Sequence, residues 1–469
     1  MNDMVCISPI DGRELARRPA ATDQAVEEAL TAARAAQRQW RGRPLAERKA
    51  LVEAFLAAML AMNDEVVPEL AWQMGRPVRY GGEFRGFEER LRYMLRIAET
   101  ALAPFTPDDA RPGFRRAIKR EPLGVVLVVA PWNYPYMTAI NTVGPALIAG
   151  NAVVLKHAAQ TLLVGERFQM AADRAQLPRG LFQNLVLTHE QTAKILASGQ
   201  VDHCNFTGSV AAGRAIERAA AGGFTSLGLE LGGKDPAYVR ADADLGDAIN
   251  NLVDGAFFNS GQCCCGIERI YVHEALYDRF VDGAVELTRQ YRLADPLDGA
   301  TTLGPMAHVR FADWVRKQSA EALAKGGREL VGRKGFDTDD GVSAYLAPQI
   351  FVDVDHSMSL MRDESFGPVV GIMKVRSDEE AIGLMNDSPY GLTAAIWTQD
   401  LDAGERIGAE IETGTLFVNR CDYLDPGLAW TGVKDTGRGV GLSRFGFDAL
   451  TQPKSYHLKS YHLKAPAGA

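Results

Sequence analysis

The sequence has no run of roughly 18 apolar residues, the length at which a helix could cross a membrane. Nor does it open on a basic stretch followed by an apolar one, so MNDMVCISPIDGREL does not read as a secretory signal and a cytoplasmic protein is expected. Basic charge is short: 51 Lys and Arg stand against 59 Asp and Glu, a formal net charge of -8. That is the wrong sign for a surface that neutralises phosphate, and it argues against nucleic-acid or membrane partners. Cysteine is scarce, with six in 469 residues scattered around one triplet at positions 263 to 265. No disulfide framework fits that spacing, and reduced thiols are expected. Finally, no G-x-G-x-x-G follows a strand-like run; GRGVG at 437–441 follows a polar segment and reads as a loop.

What is present is ample apolar material, 46% of a chain long enough for two or more cores. From Thr22, a plausible cap, Val26, Ala29, Leu30, Ala33 and Trp40 recur at helical spacing, and helical texture continues over 46–70. The first hundred residues therefore read as mostly helix. The basic, weakly alternating stretch 115–120 suits an exposed strand that pairs outside its own domain. After Gly124, short apolar runs alternate with helix-like segments: 125–130, 152–156, 183–187, 203–206 and 226–230. That rhythm predicts a parallel, doubly wound α/β sheet with a ligand crevice at the carboxyl ends of its strands. Residues 131–134, Lys156, 207–209 and 230–233 lie just past those ends. A second α/β region spans 232–432, with strands expected at 269–272, 369–375, 392–397 and 416–419. The pentapeptide SYHLK occurs at 455–459 and again at 460–464; the first copy suits an edge strand and the second a tail.

The segment NSGQCCCGIER, 259–269, holds the cysteine triplet. Three adjacent cysteines lack the C-x-x-C spacing of a zinc site, so no metal is expected and a buried thiol cluster is the plain interpretation. Around it stand PWNYP (131–135), GPALIAGNAVVLK (144–156), NFTGSVAAG (205–213), LELGGKDP (229–236), NSGQCC (259–264), ESFGPV (364–369) and NDSPYGL (386–392). In this order they resemble the aldehyde dehydrogenase superfamily over nearly the whole chain.

The resemblance implies an oxidation of an aldehyde to a carboxylic acid with NAD or NADP. It makes Cys264 the nucleophile, whose thiolate adds to the carbonyl and, after loss of hydride, holds a thioester. Asn133 and the Cys264 backbone N–H would form the oxyanion hole. Glu230 would activate the hydrolytic water, a base that acyl-transferring branches tend to lack. The flanking Cys263 and Cys265 are spectators that can form a reversible disulfide with Cys264. Thr207, Gly208 and Ser209 would hold the pyrophosphate at a helix start. Lys156 would meet the adenosine ribose, Glu364 and Phe366 the nicotinamide ribose and ring, and Trp132, Leu231 and Gly232 would border the cofactor.

The chain departs from the pattern at two places. Ala159 stands where NAD-preferring relatives carry a glutamate that repels a 2′-phosphate, which leaves NADP open. Thr142 replaces a lysine that assists the proton path to the base. Tyr134, Phe258, Tyr423 and Trp430 fall where relatives build the aldehyde passage, so an apolar or aromatic substrate is expected. Phe258 stands where succinate-semialdehyde enzymes often use arginine; Arg420 remains as a cation for a semialdehyde, the alternative substrate.

The expected fold is a Rossmann-type cofactor domain (1–107 and 124–231), an α/β catalytic domain (232–432) and a small β unit for oligomerisation (108–123 and 433–469). By resemblance that unit builds a homodimer or homotetramer. A non-catalytic structural or binding protein on the same fold is the competing class, and such a chain would be expected to lose Cys264 or Glu230.

Overall fold

The computed structural model describes residues 3–460. Two sheets organise it. The first has six strands in the order Gly437–Arg438, Ser226–Glu230, His203–Thr207, Val125–Val129, Ala152–Lys156, Phe182–Asn184; all pairs are parallel except the first. Val125–Val129 and Ala152–Lys156 are buried at every position, as strands covered by helices on both faces must be. Each such Val or Leu contributes about 1.5–3 kcal/mol by leaving water. Trp40, on a helix capped by Thr22, is fully buried, and its indole N–H bonds the carbonyl of Leu147 on a second covering helix.

The second sheet has seven strands in the order Arg328–Glu329, Gln349–Val352, Val369–Val375, Ile267–His273, Asp235–Val239, Thr393–Trp397, Thr415–Val418. All its pairs are parallel except the first. A two-stranded ribbon pairs Phe114–Pro122 with Thr451–Lys459 in antiparallel register. The expected basic strand and the first SYHLK copy are both in it; the second copy lies, save Ser460, outside the described residues.

The structure corrects several expectations. The N-terminal region is not only helix, because Asp3–Ile7 and Glu14–Pro19 form a hairpin. GRGVG is not all loop: its first two residues, Gly437–Arg438, close the edge of the first sheet against Leu229 and Glu230. The strand expected at 183–187 is Phe182–Asn184. The central strand Asp235–Val239 was hidden because it opens on Asp-Pro, a pair that reads as a break; Pro236 is tolerated near the strand's start.

The two sheets meet across a crevice. Thr207 pairs with Glu230 and Val129 with Phe206, so three neighbouring strands of the first sheet end at one level. Opposite them stand Cys264, three residues before the strand Ile267–His273, and Glu364–Phe366, just before Val369–Val375.

Candidate active site

Between those strand ends lies a cavity of about 280 Å³. Its walls include Trp132, Asn133, Thr207, Gly208, Ser209, Glu230, Leu231, Gly232, Cys264, Glu364, Phe366 and Trp430. Twelve of the residues singled out in the sequence, drawn from six separate segments, thus face one space.

Cys264 is presented by a strained approach. Asn259, Ser260 and Gly261 have φ of 53°, 56° and 68°, three consecutive residues in the left-handed region, where non-glycine residues store strain. Gly261 is required, since a Cβ there would stand 2.2 Å from the carbonyl oxygen of Gly367. Cys264 is half-buried and its neighbours are buried. The thiols of Cys263 and Cys265 lie 3.6 Å apart and both donate to Oδ1 of Asp422, at 3.0 and 3.2 Å. Hydrogen bonding with Cys263, then Cys265, holds the Cys264 thiol well below its ordinary range, against the opposing effect of burial.

Asn133 is 5% exposed, and its side-chain amide donates to the backbone carbonyl of Gln262 at 3.2 Å. Its own carbonyl accepts from Arg76 Nη2 at 2.6 Å and from the Asn259 amide at 3.2 Å. Arg76 bonds Asn259 Oδ1 at 3.2 Å and pairs with Glu83, which accepts the N–H groups of Tyr136 and Met137 at the start of the helix Pro135–Ala149. This buried pair locks the Asn133 turn to the cysteine segment. Both charges were missed in the sequence; their only signal there is that they flank a glycine-rich stretch between helices.

Glu230 accepts from the Thr207 hydroxyl at 3.1 Å, and burial raises its carboxyl above the usual range. Thr138 and Asn141, three residues apart on one helix face, line the cavity nearby. Thr142, by contrast, is buried and is not a lining residue.

On the other side Ser209 caps the helix Val210–Ala220, accepting from Ala212 N. The turn Thr207–Ser209 lines the cavity at the start of this helix, and a helix start fits an anion. Lys156 is 8% exposed, and among the described residues its ammonium has neither a hydrogen bond nor a carboxylate partner; burial lowers it to about 8. A buried cation left open at the carboxyl end of Ala152–Lys156, with one strand between it and that turn, fits the ribose or phosphate oxygens of a dinucleotide, although Lys156 is not among the residues lining the cavity. Ala159 begins the short turn Ala159–Thr161 and brings no acid to it. Glu364 accepts from Gly233 N at 3.0 Å and is raised to about 8 by burial and by Glu268. A Cβ at Gly232 would sit 2.5 Å from that carboxylate, which explains the glycine. The loop is held by Glu268, which accepts from Ser365 N and Phe366 N and pairs with Lys234 at 2.5 Å, another buried pair unseen in the sequence. Trp132 stacks on Phe311 at 4.8 Å and meets Phe366 edge-on.

The aromatic passage is only partly as expected. Trp430 lines the cavity, while Tyr134, Phe258 and Tyr423 do not. Tyr134 lies under the Arg76 guanidinium, 4.7 Å from its ring. Phe258 packs edge-on against Tyr80. Tyr423 turns outward to Glu89, 2.6 Å away, and carries Arg420 over its ring; its neighbour Leu424 takes the place in the wall. Arg420 is exposed and so does not face the cavity.

The profile of the Aldehyde dehydrogenase family matches residues 2–456. A protein named succinate-semialdehyde dehydrogenase [NADP(+)] from Mycobacterium avium is 32% identical over 457 residues, 97% of this chain and 96% of that one. A 4,4'-diapolycopene aldehyde oxidase from a Methylomonas species is 34% identical, over 95% and 85% of the two chains. Among solved structures, succinic semialdehyde dehydrogenase from Streptococcus pyogenes, in complex with NADP+, superposes with a TM-score of 0.92 at 28% identity, covering 97% of this chain and all of that one. The chain belongs to the aldehyde dehydrogenase family and is an oxidoreductase acting on aldehydes.

Proposed function

We propose that Cys264 is the covalent nucleophile of an NAD(P)-dependent oxidation of an aldehyde to a carboxylic acid. The observation that carries this is the convergence of Cys264, Asn133 and Glu230, from three distant segments, on one cavity with the Thr207–Ser209 turn. The Cys264 thiolate adds to the aldehyde carbon, and the oxygen that becomes negative is met by the Asn133 amide and the Cys264 N–H. The dinucleotide, when bound, accepts the hydride that leaves the substrate carbon. Cys264 then carries the acyl group as a thioester, and Glu230 takes a proton from the water that attacks it. Thiol and acid are released.

The cofactor would be held by Lys156, the Thr207–Ser209 turn, Trp132, Glu364 and Phe366, and Leu231 and Gly232 would border it. NADP is favoured, since Ala159, at the start of the turn that follows Lys156, brings no acid to it. The six-stranded sheet serves as the cofactor part and the seven-stranded one as the catalytic part. The ribbon of Phe114–Pro122 and Thr451–Lys459, mostly exposed, extends from them and serves a homo-oligomer. No described helix is long and apolar enough to cross a membrane. Six free thiols suit a reducing cytoplasm.

The test is Cys264→Ala against Glu230→Gln. The first is expected to abolish NADPH formation; the second, to leave a single-turnover burst with slow release of acid. Steady-state oxidation by Cys264→Ala at the wild-type rate would overturn the assignment.

A further inference from the structure

The turn that presents Cys264 is closed by the Gly266 N–H, which donates to the carbonyl of Cys263 at 3.2 Å. Three consecutive thiols leave it in two directions. Cys264 lines the cavity. Cys263 and Cys265 are buried and turn instead to Asp422, 159 residues on from Cys263, so that two sulfurs and a carboxylate meet. Their ligand atoms all lie within 4.8 Å of one another, and no other group of three or more His, Cys, Asp or Glu side chains is gathered in this way among the described residues. The triplet by itself lacks the spacing of a zinc site; the third ligand comes only with the fold.

The distances suit a tetrahedral ion. Zinc–sulfur bonds of about 2.3 Å set two sulfurs about 3.8 Å apart, and the thiols of Cys263 and Cys265 stand at 3.6 Å. A sulfur and a carboxylate oxygen on the same ion stand about 3.6 Å apart, so Asp422, now at 3.0 and 3.2 Å, has to withdraw by about 0.5 Å. Asp422 lies in an irregular segment and is half-buried, which leaves that movement open and gives the cluster a side toward solvent. Among the described residues no Lys, Arg or His pairs with its carboxylate. Cys421 is turned away, its thiol donating to the carbonyl of Asn251 at 3.4 Å, so three protein ligands remain and a fourth position is left for solvent. Leu392, Trp430 and Leu442 pack around the two thiols. One carboxylate among sulfur and apolar groups cannot supply the six or more oxygens that calcium or magnesium takes, whereas thiolates select soft cations.

We propose that Cys263, Cys265 and Asp422 bind a soft divalent cation of the zinc class, directly behind the thiol that faces the cavity. On binding, both S–H bonds break and two protons leave to solvent, while two metal–sulfur bonds and one metal–oxygen bond form; no oxidation state changes. The site does not depend on which residue is the nucleophile.

The experiment titrates the reduced, full-length Cys264→Ser variant with cadmium, which shares zinc's filled d shell and reports thiolate bonds by an ultraviolet charge-transfer band. Removing Cys264 ensures that the thiol in the cavity does not supply the signal. A saturable band at one ion per chain is expected, erased by excess zinc and left by magnesium. Adding Cys265→Ser should halve the band. Adding Asp422→Asn should keep its height but weaken affinity by about 10-fold or more, since even partners outside the coordination shell cost that much. Should the Asp422→Asn variant not fold, the Cys265→Ser variant carries the test. No saturable binding, a band undiminished by Cys265→Ser, or unchanged affinity in Asp422→Asn would each sink the site.

Discussion

The side-chain amide of Asn133 donates to the backbone carbonyl of Gln262, 3.2 Å away and two residues before Cys264. One hydrogen bond thus fixes the end of the strand Val125–Val129 in the first sheet to the strained segment that delivers the thiol from the second. The donor and the nucleophile are set relative to one another before any substrate arrives, which is what electrostatic preorganisation requires.

Replacing Asn133 by Ala is therefore expected to slow acylation by about 10²–10³, the usual cost of one oxyanion donor, with little change in cofactor affinity. Pre-steady-state formation of NADPH measures it; an unchanged burst rate would exclude the amide from the oxyanion site.

Glu230 is raised by burial, with the Thr207 bond and Arg90 opposing. A carboxyl acts as base only when ionised, so deacylation should rise with pH through a midpoint above the ordinary glutamate range. Thr207→Val removes the stabilising hydroxyl, and its midpoint should move higher still. A kcat–pH profile of the two proteins reads the shift, and coincident profiles would contradict the role.

The low position of the Cys264 thiol comes from hydrogen bonding with Cys263 and then Cys265. In the Cys263→Ala/Cys265→Ala double variant the pH midpoint for iodoacetamide alkylation of Cys264 should rise by about one unit or more. Mass spectrometry of the alkylated peptide across pH gives the value, and a midpoint that stays put would assign the effect elsewhere.

Lys156 sits near 8 through burial. Its charge is present below that value and lost above it, so the KM for NADP should increase as pH rises through about 8. Ala159→Glu should reverse the preference toward NAD by setting a carboxylate against the 2′-phosphate. Equal KM ratios before and after that substitution would remove residue 159 from cofactor selection.

Arg76 and Glu83 are nearly inaccessible. Arg76→Met leaves a buried, unpaired carboxylate and should cost about 3–5 kcal/mol, whereas Arg76→Met/Glu83→Met should recover much of it. Urea unfolding compares the three proteins; a single variant as stable as wild type would show that the pair is not what holds the turn.

Much of this site was legible along the chain because strand ends are. Val125–Val129 is an unbroken apolar run and Ala152–Lys156 is one up to its last residue, Ser226–Glu230 follows in the same strand–helix rhythm, and the residues just past the ends of parallel strands are placed at the crevice. The pairs Arg76–Glu83 and Lys234–Glu268 were not legible, since a charge in sequence looks the same whether solvated or buried. The aromatic residues misled for a related reason. Tyr423 and Leu424 are neighbours that point opposite ways, and which of them reaches the cavity is fixed by the backbone's course.

The sequence by itself determined the family, the alternation of strand and helix, and the three groups proposed for the chemistry, because local pattern and ordered motifs survive without coordinates. Only the tertiary structure decided which charges are paired. Arg90 reads as one more helical arginine until the helix Phe84–Ala101 is laid against Pro135–Ala149. Whether its nitrogens find partners depends on groups some 50 residues away, at Met137 and Asn141, and that distance is closed only by packing.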